Sequence, residues 1–586
     1  MKSVLLTIFT LFSLFALWQC AHQVMPSGGP KDTEPPQIVE EQPPNGSIHF
    51  NENGFYVKFN EFVELDNINK QLLISPPMLK SPDFKFRGKT LIVKFNEKLK
   101  PNTTYSVYFG DAIVDITEKN PLKNYSYIFS TGNTLDSMSL TGTLKNAFDL
   151  KPVEDAYVML YKDNNDTLPL DLLPLNVKPY YLSKTGKNGN FKFNALANSP
   201  YLVFALKDQN NSLTFDQPQE EIAFIDSLVS PQYIPETKPD TTRRDSVNNT
   251  PPDTLNAAAD SSRLVDDTVG VAPDMINYEL LMFKNQDTVQ KLLQATLVEK
   301  NKLRFIFSLP ADSVKIKILN VTGNFEYLTA YGTSRDTVTW FLKEPFPDTL
   351  DLLFLNGTDT LENMELSAVP KVKNLRRKPK STPKTFLSYS FNTKGVIKPG
   401  QNLVLTAGQP VVNFITDSVM FVSGDDTLFN PKYNFIDTLH RKILFPFKVK
   451  PGTTYRLVIP DSAIIDWNGI FNKKINFSFN SKEEKEYGKL SLKVIPPFKG
   501  SFILQMLDEK ENVLAQRFFN ADTAFVFNYV EPASYIFKLI FDKNGNKKWD
   551  TGNYLKKIQP EKVMFFNKKI DVKANWEYQE EWEIKE

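Results

Sequence analysis

Short runs in which apolar and polar residues alternate fill most of this chain. Tyr56-Val57-Lys58-Phe59, Leu91-Ile92-Val93-Lys94-Phe95 and Tyr105-Ser106-Val107-Tyr108-Phe109 are examples near the start. A period of two places every second side chain on one face of an extended strand, so such runs predict half-buried strands. Turn chemistry separates them at Asn53-Gly54, Arg87-Gly88 and Pro101-Asn102. The same texture returns at Ala156 to Tyr161, Tyr201 to Ala205, Leu303 to Phe307, Val314 to Ile318, Val338 to Phe341 and Leu350 to Leu355. Many short strands at regular spacing predict an all-β chain of tandem β-sandwich domains.

A repeat organises these strands. Leu99-Lys100-Pro101-Asn102-Thr103-Thr104-Tyr105 comes back 350 residues later as Val449-Lys450-Pro451-Gly452-Thr453-Thr454-Tyr455. Asp111 then lines up with Asp461, Tyr127 with Phe477 and Phe129 with Phe479, with a one-residue gap and its compensation between. A second echo follows each copy. Pro200 to Asp208 is matched at an offset of 334 by Ser534 to Asp542. A two-module unit used twice predicts sandwiches at 37–132 and 135–228, and again at 385–481 and 488–586, with a fifth at 275–369. Trp576, Tyr578, Trp582 and Ile584 alternate with charged residues and predict a final strand. Residues 229–273 are rich in Pro, Asp, Thr, Ser and Asn and read as a disordered linker. Residues 370–384 form a basic linker. It is either a solvated connection or a contact for anionic lipid or lipopolysaccharide.

Phe59-Asn60-Glu61 and the Lys-Pro-Asn-Thr-Thr-Tyr element resemble the bacterial Ig-like domain also found in surface-layer proteins. This resemblance implies a spacer or interaction role without a catalytic residue. Gly186-Lys187-Asn188-Gly189-Asn190-Phe191-Lys192-Phe193, followed by the strand from Tyr201, resembles the transthyretin-like, or carboxypeptidase regulatory-like, fold. That resemblance implies a second non-catalytic sandwich.

The first residues name a compartment. Lys2 precedes an apolar run from Val4 to Trp18, which reads as an export signal too short for a membrane span. The run ends at Leu17-Trp18-Gln19-Cys20, which resembles a bacterial lipoprotein signal. Residues 1–19 are then the signal peptide and Cys20 the acylated first residue of the mature chain. Gln19 departs from the small residue usual at its position. Residues 20–36 carry Pro and Gly and almost nothing apolar, so they predict a flexible tether. Gly28 to Pro36 looks like the leader of Bacteroidota lipoproteins with an Ig-like first domain. The expectation is an outer-membrane lipoprotein held by its acyl chains, on either the cell-surface or the periplasmic face.

Composition narrows the chemistry. Lys and Arg number 69 and Asp and Glu 68, so the basic excess of a nucleic-acid coat is missing. Cys20 is the single cysteine and His22, His49 and His440 the only histidines. Cysteine-held zinc and intrachain disulfides are excluded, and no His-x-x-x-His, Gly-x-Ser-x-Gly or phosphate loop occurs. Glu61/Glu64 and Asp111/Asp115 are carboxylate pairs of the kind glycosidases use, but nothing in the sequence pins their geometry, and loop carboxylates of a sandwich account for them better. The chain reads as a non-enzyme without catalytic residues.

Asp542-Lys543-Asn544-Gly545-Asn546 places oxygen ligands at alternate positions, with Asp550 at the ninth. This resembles half of a calcium loop of the EF-hand or dockerin kind, with Asp542, Asn544, Asn546 and Asp550 as ligands. It departs at Lys547, where glycine is usual, and at Asn553, where an acid is usual. A polar turn joining two strands is the other reading, and no other cofactor is implied. Asp followed by Ser or Thr and an aliphatic residue recurs in the 229–273 linker. It resembles a Bacteroidota O-glycosylation signal and makes Ser246, Thr254 and Thr268 acceptors. Trp340, Trp467 and Trp549 are candidates for stacking on sugars, with partial burial in a core as the other reading. Two functions remain. One is a scaffold or accessory lipoprotein docked on an outer-membrane β-barrel assembly, either barrel-insertion machinery or a nutrient-uptake complex. The other is a surface glycan-binding or adhesive lipoprotein.

Overall fold

A computed structural model describes residues 31–162, 168–233, 276–285, 289–321, 325–370 and 386–585. Cys20, the signal peptide, most of the tether, Ser246, Thr254, Thr268 and residues 371–384 of the basic linker lie outside the described residues. The chain is nearly all β and forms tandem β-sandwiches. It divides into two compact units. One runs to Lys145 and continues over Lys151–Met282; the other holds Asn146–Leu150 and Phe283–Glu586. Among the described residues no helix is long and apolar enough to cross a membrane.

In the first unit, Ile38–Gln42, Gly54–Phe59, Thr90–Lys94 and Asp83–Arg87 form one sheet in that order. Leu73–Ser75, Thr104–Gly110 and Tyr125–Ser130 form a second sheet, and Val63–Leu65 pairs with Ile113–Asp115. Alternation does what the sequence predicts. Gly54–Phe59 buries Phe55, Val57 and Phe59 and leaves Lys58 in water. Phe55 stacks on Tyr127 with ring centroids 3.7 Å apart. The repeated motif has a local cause. Asn102 takes a left-handed φ of 49°, and Gly452 one of 68° in the second copy. The turn thereby brings the Lys100 N–H to the buried Tyr105 hydroxyl at 2.8 Å, and Lys450 to Tyr455 at 2.6 Å. This is the tyrosine-corner device of sandwich folds, in which a phenol satisfies a turn amide.

The second unit repeats the topology. Tyr389–Phe391, Leu403–Ala407, Lys442–Phe445 and Asn434–Phe435 form one sheet. Met420–Ser423, Thr454–Ile459 and Ile475–Asn480 form the other, with Val411–Phe414 paired to Ile464–Asp466. Asp426–Phe429 has no counterpart in the first copy and adds an edge strand to Met420–Ser423.

The sandwich of the sequence's third group differs from expectation at its start. The pattern places residues 277–283 in that sandwich, yet Asn277–Lys284 lies between Met138–Asn146 and Glu221–Phe224, in the sheet of the preceding module. Leu280 and Met282 enter that module's core with Leu140, Leu144 and Phe193. The last module explains why. There Gly488–Ile495 pairs antiparallel with Thr523–Val530 and parallel with the tail strand Glu577–Glu583. Asn277–Lys284 takes the tail strand's place in the first copy. The 229–273 segment thus interrupts a domain instead of joining two. Its first residues are also structural: Val229 is buried, and Tyr233 and Gln232 pair with Met138 and Ser139. A local pattern cannot reveal this, because the returning strand pairs with partners far away in sequence.

What remains of the third group is a sandwich. Leu292–Glu299, Lys302–Phe307, Thr337–Leu342 and Tyr327–Tyr331 form one sheet, and Val314–Ile318, Thr349–Asn356 and Asp359–Ser367 the other. It is fastened to the second Ig-like copy. Asn468 accepts the Glu344 N–H at 2.8 Å and donates to the Leu342 carbonyl at 3.1 Å. Lys302 donates to the Gly408 carbonyl at 3.3 Å.

Candidate functional site

The loop after strand Ala533–Phe541 gathers the four predicted calcium residues. Asp542 is buried and accepts the N–H groups of Asn546 and Lys547, each at 3.0 Å. Asp550 accepts both side-chain amides, from Asn544 and Asn546, at 2.6 Å. The loop closes around its acids with its own donors, as expected for carboxylates that must be paired when partly buried. Among the described residues no three His, Cys, Asp or Glu side chains gather as a metal-holding group.

Sequence reasoning missed Glu561. It is buried and accepts the Lys543 N–H at 2.7 Å and the Asp550 N–H at 3.1 Å, clamping both ends of the loop. Burial, with Asp550 and Asp542 nearby, pushes its carboxyl above the ordinary range. The first copy builds the same clamp. Glu220, fully buried, accepts the N–H groups of Gln209 and Gln217 at 3.1 and 3.2 Å. Asp208 accepts the N–H of Asn211 and Leu213, and Asn210 donates to Asp216. The echo that aligns Asp208 with Asp542 could have led to the first loop. Neither glutamate sits at a recognised loop position, so spacing gave no signal for the clamp.

Beside Asp542, Phe498, Phe502, Phe541, Ser501, Lys543 and Lys562 line a cavity of about 360 Å³. A second groove, of about 500 Å³, opens on the sheet of the third sandwich and takes in Arg304, Tyr331, Thr337, Thr339 and Arg441.

The other candidates resolve as structure. Asp115 is buried; burial alone would raise its carboxyl, but hydrogen bonds from the N–H groups of Glu118, Asn120 and Lys119 and the Thr117 hydroxyl hold it below the ordinary value. Asp111 accepts the Asn124 N–H at 3.4 Å and its counterpart Asp461 the Lys474 N–H at 2.8 Å. Glu64 is ion-paired with Lys119. Asp111, Asp115 and Asp461 shape turns, and Glu64 is paired at the surface. His440 lies on the Phe435 ring, 4.4 Å between centroids, and the His49 backbone N–H donates to the Gly132 carbonyl.

Trp340 is not a sugar platform. It is 3% exposed and packs edge-on against Phe305 in the core. The run Val338-Thr339-Trp340-Phe341-Leu342 alternates so that Trp340 faces inward. Trp549 is half-buried, donates its indole N–H to the Glu561 carbonyl and meets Phe148 edge-on. Trp467 is half-buried under Lys343. Among the described residues the well-exposed tryptophan is Trp576, at 58%.

Residues 32–131 match the bacterial Ig-like domain family, so the first module is a domain of that kind. No curated protein matches the chain. Among solved structures, the S-layer protein rSbsC aligns at 12% identity over 92% of this chain and 67% of its own, with a TM-score of 0.13. The major pilin subunit BcpA of Bacillus cereus aligns at 10% identity over 76% of this chain and 99% of its own, with a TM-score of 0.15. SGBP-B of the Bacteroides ovatus mixed-linkage glucan utilization locus, in complex with a heptasaccharide, aligns at 7% identity over 74% and 94%, with a TM-score of 0.20. Likeness at these scores carries no statement about activity.

Proposed function

We propose that this is a non-catalytic, lipid-anchored scaffold of the outer membrane that holds a protein partner, a β-barrel assembly, by its sheet edges. The observation that carries the reading is the strand Asp426–Phe429. In the first copy the equivalent edge, Leu73–Ser75, is covered: the Ser75 hydroxyl bonds the Leu182 carbonyl and N–H at 3.0 and 2.9 Å. In the second copy the edge is extended, and its outer strand leaves Leu428 and Phe429 at 55% and 61% exposure. Sheet edges are usually blunted by charge or cover, and an uncovered one is a template for an added strand. Cys20 supplies the anchor, and glycans on Ser246, Thr254 or Thr268 would shield the inserted segment.

The test is purification of the tagged, acylated protein from gently solubilised outer membranes. A stoichiometric barrel partner is expected, and Leu428→Lys with Phe429→Asp should abolish its recovery without moving the melting temperature. Recovery of the lipoprotein alone in several detergents would sink this reading.

Calcium at Asp542, Asn544, Asn546 and Asp550 belongs to the proposal as a structural ion. Binding in the range of about 10⁻⁴–10⁻³ M is expected, as in extracellular calcium modules. Calorimetric titration of the intact chain and of Asp542→Asn checks it: no heat in the parent protein removes calcium.

The second reading, a surface glycan-binding lipoprotein, is favoured by the polar groove on the third sandwich.

A further inference from the structure

Resting on the glycan-binding reading, we propose that the groove between Arg304 and Arg441 binds an acidic saccharide, with its carboxylate, sulfate or phosphate held by the two guanidinium groups.

The floor follows from strand register. Arg304 lies opposite Thr339, and Thr339 opposite Ala330, so these three cross the sheet as one row on its outer face. The next row pairs Ile306 with Thr337 and ends at Gly332, whose N–H donates to the Thr337 carbonyl at 2.8 Å. A Cβ on Gly332 would come within 3.2 Å of the Thr337 Cβ. Small side chains thus keep the centre of the sheet low while Arg304 rises at one side. The space left, about 500 Å³, is an open depression on the sheet face.

Arg441 reaches this groove from the second Ig-like copy. Its guanidinium lies over the Phe341 ring at 4.7 Å, and its Nε donates to the Ala407 carbonyl at 3.2 Å. A guanidinium has five donors in a rigid fork. Among the described residues, one donor of Arg441 is spent and none of Arg304. Among the described residues no carboxylate forms an ion pair within 4.0 Å of either group, although Asp437 and Glu299 stand farther off from Arg441. Nearby cations differ. Lys302 is paired with Glu299 at 2.9 Å, and Arg335 with Asp312.

Two positive groups with open donors, Arg441 held on an aromatic ring and partly desolvated there and Arg304 exposed, form a receptor for an oxyanion. Around them, the Thr339 hydroxyl offers a donor and an acceptor, and the Thr337 hydroxyl, which donates to Asp336 at 2.9 Å, offers an acceptor; both suit ring hydroxyls. Neutral glucans would leave the guanidinium groups unpaired, so the oxyanion is part of the specificity.

The test is calorimetric titration of the intact chain with an oligogalacturonate and with a sulfated heparin-derived hexasaccharide. A neutral oligosaccharide of equal length and inorganic sulfate serve as controls. Binding of at least one acidic oligosaccharide is expected, weakened by salt. Arg304→Ala, which removes an exposed side chain with no internal partner, should weaken it about tenfold or more, the worth of one charge-assisted pair. Thr339→Glu, on the exposed face of the same strand, should abolish it. Unchanged melting temperatures would confirm that both variants fold.

Equal affinity for inorganic sulfate would overturn the saccharide assignment. Acidic-glycan binding that ignores both substitutions would overturn the groove and leave the glycan-binding reading standing. No glycan binding at all would end both.

Discussion

A single cut at a protease site engineered between Asn249 and Thr250 is expected to leave the two fragments bound to each other in native buffer. They should part only in denaturant. The N-terminal fragment would carry Met138–Asn146 and the sheet around it, and the C-terminal one the strand Asn277–Lys284, which lies in that sheet. Leu280 and Met282 are fully buried there, and Lys145 bonds Glu279 at 2.7 Å. Co-elution by size exclusion, followed by urea titration of the nicked protein, measures this. Leu280→Asp with Met282→Asp should lower the separation midpoint sharply, because an unpaired buried charge costs about 3–5 kcal/mol. Fragments that separate in buffer alone would show that the strand belongs elsewhere.

The second large effect is expected at Asp115. Replacing it by alanine removes the acceptor for the N–H groups of Glu118, Lys119 and Asn120 and for the Thr117 hydroxyl. A loss of about 2 kcal/mol is expected, tempered because these turn residues can still reach water. The pH dependence has a definite sign. A carboxyl held below its unfolded value of 3.8 stabilises the fold fully at neutral pH. That contribution is lost as pH falls through the folded value, below the unfolded one. Chemical denaturation of parent and Asp115→Ala at neutral pH and near pH 3 should show the difference between them shrinking in acid. A constant difference would mean that Asp115 acts by packing alone.

The sandwich character was legible because strands are local. Phe55, Val57 and Phe59 alternate within six residues, and the Tyr105 and Tyr455 motifs carry their own turn, acceptor and donor. The paired loops were half legible. Asp542, Asn544, Asn546 and Asp550 stand close together in sequence, whereas Glu561 arrives from the far side of the loop and Glu220 does the same in the first copy. Trp340 was readable as core from its alternating neighbours, Val338 and Leu342. The groove was invisible. Arg304 and Arg441 belong to different modules, and only the junction made by Asn468, Glu344 and Lys302 brings them to one sheet face. Single arginines in strands carry no spacing to read. Partnership across a junction is a property of the assembled unit.

The late return of Asn277–Lys284 also sets an order of events for an emerging chain. In the last module only a few residues separate Ile570–Val572 from the parallel strand Glu577–Glu583. In the first copy about forty residues intervene after Gln232–Tyr233. Closing the longer excursion costs about 2 kcal/mol more in chain entropy. That cost falls on the barrier to pairing, since closure must precede the contacts that reward it. The earlier-synthesised copy is thus the one whose sheet must wait longest for its final strand. Until then the place that Leu280 and Met282 fill beside Leu140 and Phe193 lacks its last apolar side chains.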